Sequence, residues 1–269
     1  MQDLKSLLAI AQQAAVDAGK RVMGVYLSGD FERFNKSDDS PVTTADYLAN
    51  EIIVHALESA SPDIPIMSEE QNNGSLSERK NWKRYWLIDP IDGTKEFIGK
   101  SGYFAVNIAL IEDNEPVIGV IYWPTSRVLY FAHKGGGAFK SEAGEILPIH
   151  VRKLDNPETD IVKIAISREQ PVEWVMSKMN PQRDYDTVAL GSCSLKSCFV
   201  AEGKADVFMR IGETGEWDTG ASQCIVSEAG GKIYSIDFQP LTYNQRESLA
   251  NPNFVVLGDQ NVDWKQIIL

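Results

Sequence analysis

"WLIDPIDGTKEF", Trp86 to Phe97, sets two aspartates three positions apart around a proline, straight after an apolar run, and follows them with Gly-Thr. The apolar run reads as a buried strand, Asp-Pro and Asp-Gly as turn signals, and Gly93-Thr94 as the opening of a helix. A turn and a helix cap explain one such aspartate. They do not explain why neighbouring elements end in acids too. Upstream, "IPIMSEE" is a short strand closing on Glu69 and Glu70. Before it, "TTADYLANEIIVHALESA" has apolar Leu48, Ile52, Ile53, Ala56 and Leu57 at helical spacing, with Thr44 as the expected N-cap and Asp46 in the first turn. Far downstream, "EWDTGASQCIVSEAGG" places Asp218 in the first turn of a helix closed by glycines.

The rest of the chain frames these elements. An amphipathic helix opens it and runs to about Leu27, and "SGDFERFNKSDDSP" after it reads as a polar, mobile loop. From Tyr103 the runs "FAVNIALIE", "PVIGVIYWP" and "RVLYFAHKGGGAF" predict an antiparallel meander. The second half alternates: "DIVKIAIS" (strand), a helix from about Pro171, "TVALGS" (strand), "SLKSCFVAEG" (helix), "ADVFMR" (strand), the helix with Asp218, then strands "KIYSI" and "NFVVLG". The expected class is mixed α/β. An N-terminal α+β half, 1–150, carries the antiparallel sheet and most of the acids; an α/β half, 151–269, carries Asp218. They meet near "PIHVRKLDNPE" and are expected to pack closely.

Composition narrows the function. The chain has 269 residues, 43% of them hydrophobic, enough for a sizeable core. No apolar run approaches the ~20 residues that span a bilayer, and the N-terminus lacks a secretory pattern. A cytoplasmic location is expected, with peripheral membrane association left open. Cys193, Cys198 and Cys224 form no CxxC pair and suggest neither a disulfide framework nor a thiolate zinc site. A net charge of −12 argues against binding nucleic-acid polymers. It does not argue against a small phosphate ester, because metal ions between carboxylates and phosphate invert the local field.

Hard divalent cations take oxygen ligands. A strand-end Asp-Pro-Ile-Asp can offer a bridging carboxylate, a backbone carbonyl and a second carboxylate. Two metals ~3.5–4 Å apart can then clamp an in-line phosphoryl displacement. The N-H groups opening the next helix form a ready phosphate site.

"DPIDGTKEF" together with "WDTGASQCIVSEAGG" resembles the paired signatures of the lithium-sensitive, magnesium-dependent phosphatases that include inositol monophosphatase and fructose-1,6-bisphosphatase. "SPVTTADYLAN", "IPIMSEE" and "GSCSLKSCFVAEGKADVFMR" fall in the matching places, so residues 1 to about 257 are covered. Lys95-Glu96-Phe97 and "SLKSCFVAEGKADVFMR" are similar to the 3′(2′),5′-bisphosphate nucleotidase (CysQ-type) branch. The resemblance implies a five-layer αβαβα sandwich and two or three Mg2+ ions. It implies that Glu69, Asp89 and the Ile91 carbonyl hold one metal and Asp89, Asp92 and Asp218 another. Thr94 would hydrogen-bond to Asp46, and the pair would orient and deprotonate water; Glu70 would assist. Gly93 and Thr94 N-H groups, with Ser192, Ser194, Lys196 and Arg210, would bind substrate phosphates.

Two departures bear on the substrate: Cys193 stands where a serine is common, and "SREQ" puts Gln170 where the family has a histidine. The implied reaction is hydrolysis of the 3′-phosphate of adenosine 3′,5′-bisphosphate, with the sulfated analogue a second candidate. Inositol monophosphatase activity is the alternative, and a non-catalytic metal-binding module of the same fold is a rival of another class. A calcium protein fares worse, since no D-x-[DN]-x-[DN]-G loop is present. A monomer and a homodimer are both compatible with the sequence. His55, His133 and His150 lack metal-ligand spacing and read as structural, and "KGGGAF" reads as a hairpin turn.

Overall fold

The computed structural model describes residues 3–36, 40–168 and 171–269. Helix α1 (Leu4–Ser28) starts where the Asp3 side chain accepts from Ser6 N–H and stops at Gly29, whose left-handed backbone takes the C-cap. It buries Leu7, Ala11, Ala15, Ala18 and Val22 along one stripe. The polar stretch that follows is not simply a mobile loop: β1 (Arg33–Asn35) pairs antiparallel with β2 (Pro41–Thr43), making a hairpin. Helix α2 (Thr44–Ala60) is capped by Thr43, not Thr44. Of the two threonines, only the one ending β2 has the extended backbone an N-cap needs.

Next come β3 (Ile66–Ser68), α3 (Leu76–Arg79), β4 (Arg84–Asp92), α4 (Thr94–Ile98), β5 (Ala105–Glu112), β6 (Glu115–Trp123), β7 (Val128–His133), β8 (Ala138–Glu142) and β9 (Glu145–Pro148). The strands form a seven-stranded sheet in chain order, parallel between β3 and β4 and antiparallel from β4 onward. Its two faces separate by residue parity. Trp86, Ile88, Val106, Ile108 and Leu110 pack with the apolar stripes of α1 and α2. Leu87, Ala105, Ala109 and Ile111 belong to the core on the other side.

The second half contributes β10 (Val162–Ser167), α5 (Val172–Met176), β11 (Tyr185–Leu190), α6 (Cys193–Ala201), β12 (Val207–Arg210), α7 (Glu216–Glu228), β13 (Lys232–Ser235), β14 (Phe254–Leu257) and α8 (Trp264–Ile267). Its five strands run in the order β11-β10-β12-β14-β13, with β10 parallel to both neighbours and β14 antiparallel to both of its own. Helices α6 and α7 lie between the two sheets, and residues of both halves share the core around them. Val175 of α5 and Trp264 and Ile267 of α8 cover the outer face of the second sheet. The layers thus run helix, sheet, helix, sheet, helix. Helix α7 comes so near the first sheet that a Cβ at Gly119 would meet Ala221 O at 2.3 Å.

The glycine run is the β7–β8 turn, and Gly135 and Gly137 N–H groups donate to Glu228 at the end of α7, at 2.9 and 2.8 Å. The anion this nest grips is the chain's own carboxylate. All three cysteines are buried and unpaired. Among the described residues no helix is long and apolar enough to cross a membrane.

Candidate active site

The carboxylates converge because three elements end at one place between the sheets. In the β4–β5 ladder Asp89 faces Asn107, but Asp92 faces Ala105, so β4 carries one extra residue between its aspartates. That bulge bends the strand and turns both side chains into the same space. Gly93 then takes φ +95°, and a Cβ there would lie 3.1 Å from Tyr103 O, so glycine alone makes the corner into α4 without strain. From the opposite side α7 supplies Asp218, whose Oδ2 accepts from Gly215 N–H at 2.7 Å as the helix's own cap.

Asp89, Asp92 and Asp218 each bring a carboxylate oxygen within 4.8 Å of the others. Asp89 and Asp92 are 1% and 5% exposed, and Asp89 Oδ1 has no hydrogen-bond partner among the described residues. Burial, then the charges of Glu69, Asp92 and Asp218, hold the Asp89 carboxyl well above its ordinary range. Asp218 is raised in the same way, by burial and then by Asp92 and Glu69. Like charges packed this closely, all on hard oxygen donors and with one oxygen orphaned, fit a divalent cation of the magnesium type.

Glu69 stands outside that trio. Its carboxylate and that of Glu70 both grip Lys36 of the β1–β2 hairpin, at 2.7 and 2.6 Å. Glu70, expected to assist the water, is turned onto this lysine instead; burial and then the Glu69 charge push it up to about 7. Asp46 is 1% exposed and raised by burial to about 6. Its Oδ2 accepts from Thr43 N–H and Oγ1–H, and its Oδ1 from Thr94 Oγ1–H at 3.1 Å. Thr94 Oγ1 also lies 3.3 Å from the Ile91 carbonyl oxygen.

The start of α6 meets Asp92. Ser192 Oγ–H and Ser194 N–H donate to Asp92 Oδ2 at 2.5 and 2.7 Å, and Cys193 N–H to Oδ1 at 3.1 Å. Ser194 is fully buried and its hydroxyl is also on Asp92, so it holds a carboxylate and not substrate. The Ser192 hydroxyl is committed likewise, although the residue lines the cleft.

That cleft has a volume of about 690 Å³. Glu69, Asp92, Gly93, Thr94 and Asp218 line it together with Lys196 and Arg210. Lys196 is 4% exposed, donates to Ser192 O at 2.5 Å, and lies 5.1 Å from the centre of the Phe208 ring; burial lowers its pKa. Arg210 donates to Glu213 O at 3.0 Å, while its buried Nε has no partner. Neither cation makes an ion pair among the described residues. Of "SREQ", Ser167 lines the cleft and Arg168 stacks on Tyr103, 5.2 Å from the ring centre; Gln170 lies outside the described residues. Two residues near the site carry no signal in the sequence: Lys36, hidden in a polar stretch, and Asn107, the one amide in "FAVNIALIE", with both amide atoms buried and unpartnered among the described residues.

The model of the inositol monophosphatase family matches residues 3–262. The chain is 41% identical over 266 residues to the 3′(2′),5′-bisphosphate nucleotidase CysQ of Aggregatibacter actinomycetemcomitans, covering 98% of this chain and 96% of that one. It is 42% identical over the same length, with the same coverage, to the enzyme so named in Haemophilus influenzae. Among solved structures it is similar to CysQ from Bacteroides thetaiotaomicron, a bacterial member of the inositol monophosphatase family, with TM-score 0.83, 34% identity and coverage of 96% and 98%. An inositol monophosphatase from Thermotoga maritima superposes with TM-score 0.75 at 26% identity, over 94% and 92% of the chains. By its sequence, its layered fold and this acidic cleft, the chain belongs to the inositol monophosphatase family.

Proposed function

We propose that the chain is a 3′(2′),5′-bisphosphate nucleotidase that hydrolyses the 3′-phosphate of adenosine 3′,5′-bisphosphate to give AMP and phosphate. The observation that carries this reading is the polarity of one cleft. Carboxylates suited to a divalent cation line it together with two cations, Lys196 and Arg210, that have no carboxylate partner among the described residues. A substrate with two phosphates matches that division: one phosphate at the carboxylates, where it is cleaved, and one on Lys196 and Arg210, where it is held. The near-full-length identity to nucleotidases of this type supports the same assignment.

Glu69, Asp89, the Ile91 carbonyl, Asp92 and Asp218 are the residues that would hold magnesium, two or three ions in all. Such ions supply Lewis-acid polarisation of the ester and lower the pKa of water. The chain's own groups do the rest. The Thr94 hydroxyl donates its hydrogen bond to Asp46 Oδ1, which leaves an Oγ1 lone pair to accept from the attacking water, so that Thr94 would take a proton from the water as it passes its own to Asp46. Asp46, fixed through Oδ2 by two donors from Thr43, is the acceptor at the end of that relay. Gly93 and Thr94 line the cleft, and their N–H groups would hold the phosphate oxygens during displacement.

The test is phosphate release from adenosine 3′,5′-bisphosphate and from inositol 1-phosphate on one preparation, with and without magnesium. Magnesium-dependent release with a clear preference for the nucleotide is expected. Preference for the inositol ester would make the chain an inositol monophosphatase, and no release from any phosphomonoester would leave a non-catalytic metal-binding module.

A further inference from the structure

We propose that Asn107 is a positioning residue of the metal site: its side-chain amide, which makes no hydrogen bond in this structure, is the donor that the Asp89 carboxylate takes up when it holds magnesium. The inference rests on the reading above only for the metal, not for the substrate.

Asn107 of β5 is the direct cross-strand partner of Asp89 in β4. Residues so paired project to the same face, with Cβ atoms about 4.5–5.5 Å apart. The face is the one carrying Leu87, Ala105 and Ala109, which packs toward α6 and α7. Asn107 is 1% exposed, and among the described residues neither its Nδ2 nor its Oδ1 has a hydrogen-bond partner; Asp89 Oδ1 has none either. A buried amide left unpaired is costly, and a strand that needed only packing would do without one. The chain uses alanine at 105 and 109, two residues to either side.

The other two carboxylates of the trio are already held. Asp92 accepts from Ser192, Cys193 and Ser194, and Asp218 from Gly215 N–H. Asp89 sits among the charges of Glu69, Asp92 and Asp218, which repel it, and its buried Oδ1 lacks a donor. Residue type then decides what position 107 can do. A lysine or arginine would bring a fixed positive charge that competes with the metal, and an aspartate would add another negative one. A neutral amide donates without changing the charge of the site. Carboxylates that ligate metals are held in this way by outer hydrogen bonds.

The test is magnesium titration of the metal-free full chain by isothermal calorimetry, wild type against Asn107→Leu, with thermal unfolding of both in EDTA. Leucine has nearly the shape of asparagine and removes both orphan atoms. The expected result is magnesium binding weakened by ~10–100-fold, with a melting temperature in EDTA equal to or above that of the wild type. Wild-type affinity in the variant would overturn the proposal, and so would a variant that loses stability in EDTA while its affinity is unchanged, since that is the mark of packing alone. Should Asn107→Leu not fold, Asn107→Ser and Asn107→Ala decide: serine keeps an O–H donor and is expected to bind magnesium more tightly than alanine, and equal affinities would overturn the role. A wild-type protein with no magnesium isotherm would sink the metal site and Asn107 with it. Binding without cleavage of the nucleotide would sink only the substrate, with the isotherms of the variants still decisive for Asn107.

Discussion

In the proposed mechanism Thr94 is the residue on which chemistry and binding separate, because it lines the cleft while its hydroxyl donates to Asp46. Thr94→Ala removes the hydroxyl to which that mechanism gives the orienting of water and leaves the carboxylates, Lys196 and Arg210 in place. The expected outcome is a kcat lower by ~10²–10⁴-fold with KM for the ester within about threefold of wild type, read from steady-state kinetics at saturating magnesium. A variant changed in KM alone would remove Thr94 from the proton relay. At this scale the acids were legible because hard-cation chemistry restricts the ligand type, and Asp89, Asp92 and Asp218 stand at element ends where a core has no use for them. Ser194 was legible as a polar residue near the site but not as a holder of Asp92, since a side chain's direction at a helix start depends on how α6 meets β4. Asn107 was hidden for the opposite reason: inside "FAVNIALIE" it continues a strand pattern, and only the β4–β5 register sets it against Asp89.

Among elements, the corner from β4 into α4 does the most for the site. The bulge between Asp89 and Asp92 turns both inward, and Gly93 at φ +95° makes the bend that presents Thr94. Gly93→Ala would place an L side chain in a left-handed backbone with its Cβ 3.1 Å from Tyr103 O. The variant is expected to lose about 1–2 kcal/mol of stability, seen as a lower urea midpoint, together with most of its phosphatase activity. Unchanged midpoint and activity would mean that the corner tolerates a side chain and does not set the site. The sequence announced this corner through Asp-Gly and the meander through its alternating runs. It did not announce the β1–β2 hairpin, whose strands are three residues each and exposed on β1, so no apolar pattern marks them. Lys36 then ties the hairpin to Glu69 and Glu70, a contact across 33 and 34 positions.

For the whole molecule the question is what ties the second sheet to the first. The core around α6 and α7 is shared, and the segment leading from β9 to β10 is fastened by two carboxylates of the second half. Asp206 takes Arg152 with both oxygens, and Asp259 accepts from Lys153 Nζ at 2.9 Å and Leu154 N–H at 3.2 Å. The Asp259 side chain is 2% exposed, while Lys153 is 62% exposed and screened by solvent, so the backbone N–H bonds from Leu154 and Asn261 carry more of the effect than the ion pair. Burial works to raise the Asp259 carboxyl, but the bonds from Lys153, Asn261 and Leu154 outweigh it and hold the group below its ordinary range. A depressed folded-state pKa means that this stabilisation is complete above the unfolded value, about 3.9, and is lost as pH falls through the lower folded value. Asp259→Asn is therefore expected to be less stable than wild type by about 1–2 kcal/mol at pH 7, with the gap shrinking below about pH 4. Urea midpoints of both proteins from pH 7 down to pH 3 measure it. A gap that stayed constant across that range would show that the lost stability comes from packing and not from the ionised carboxylate, and would leave the junction held by Asp206 and the shared core.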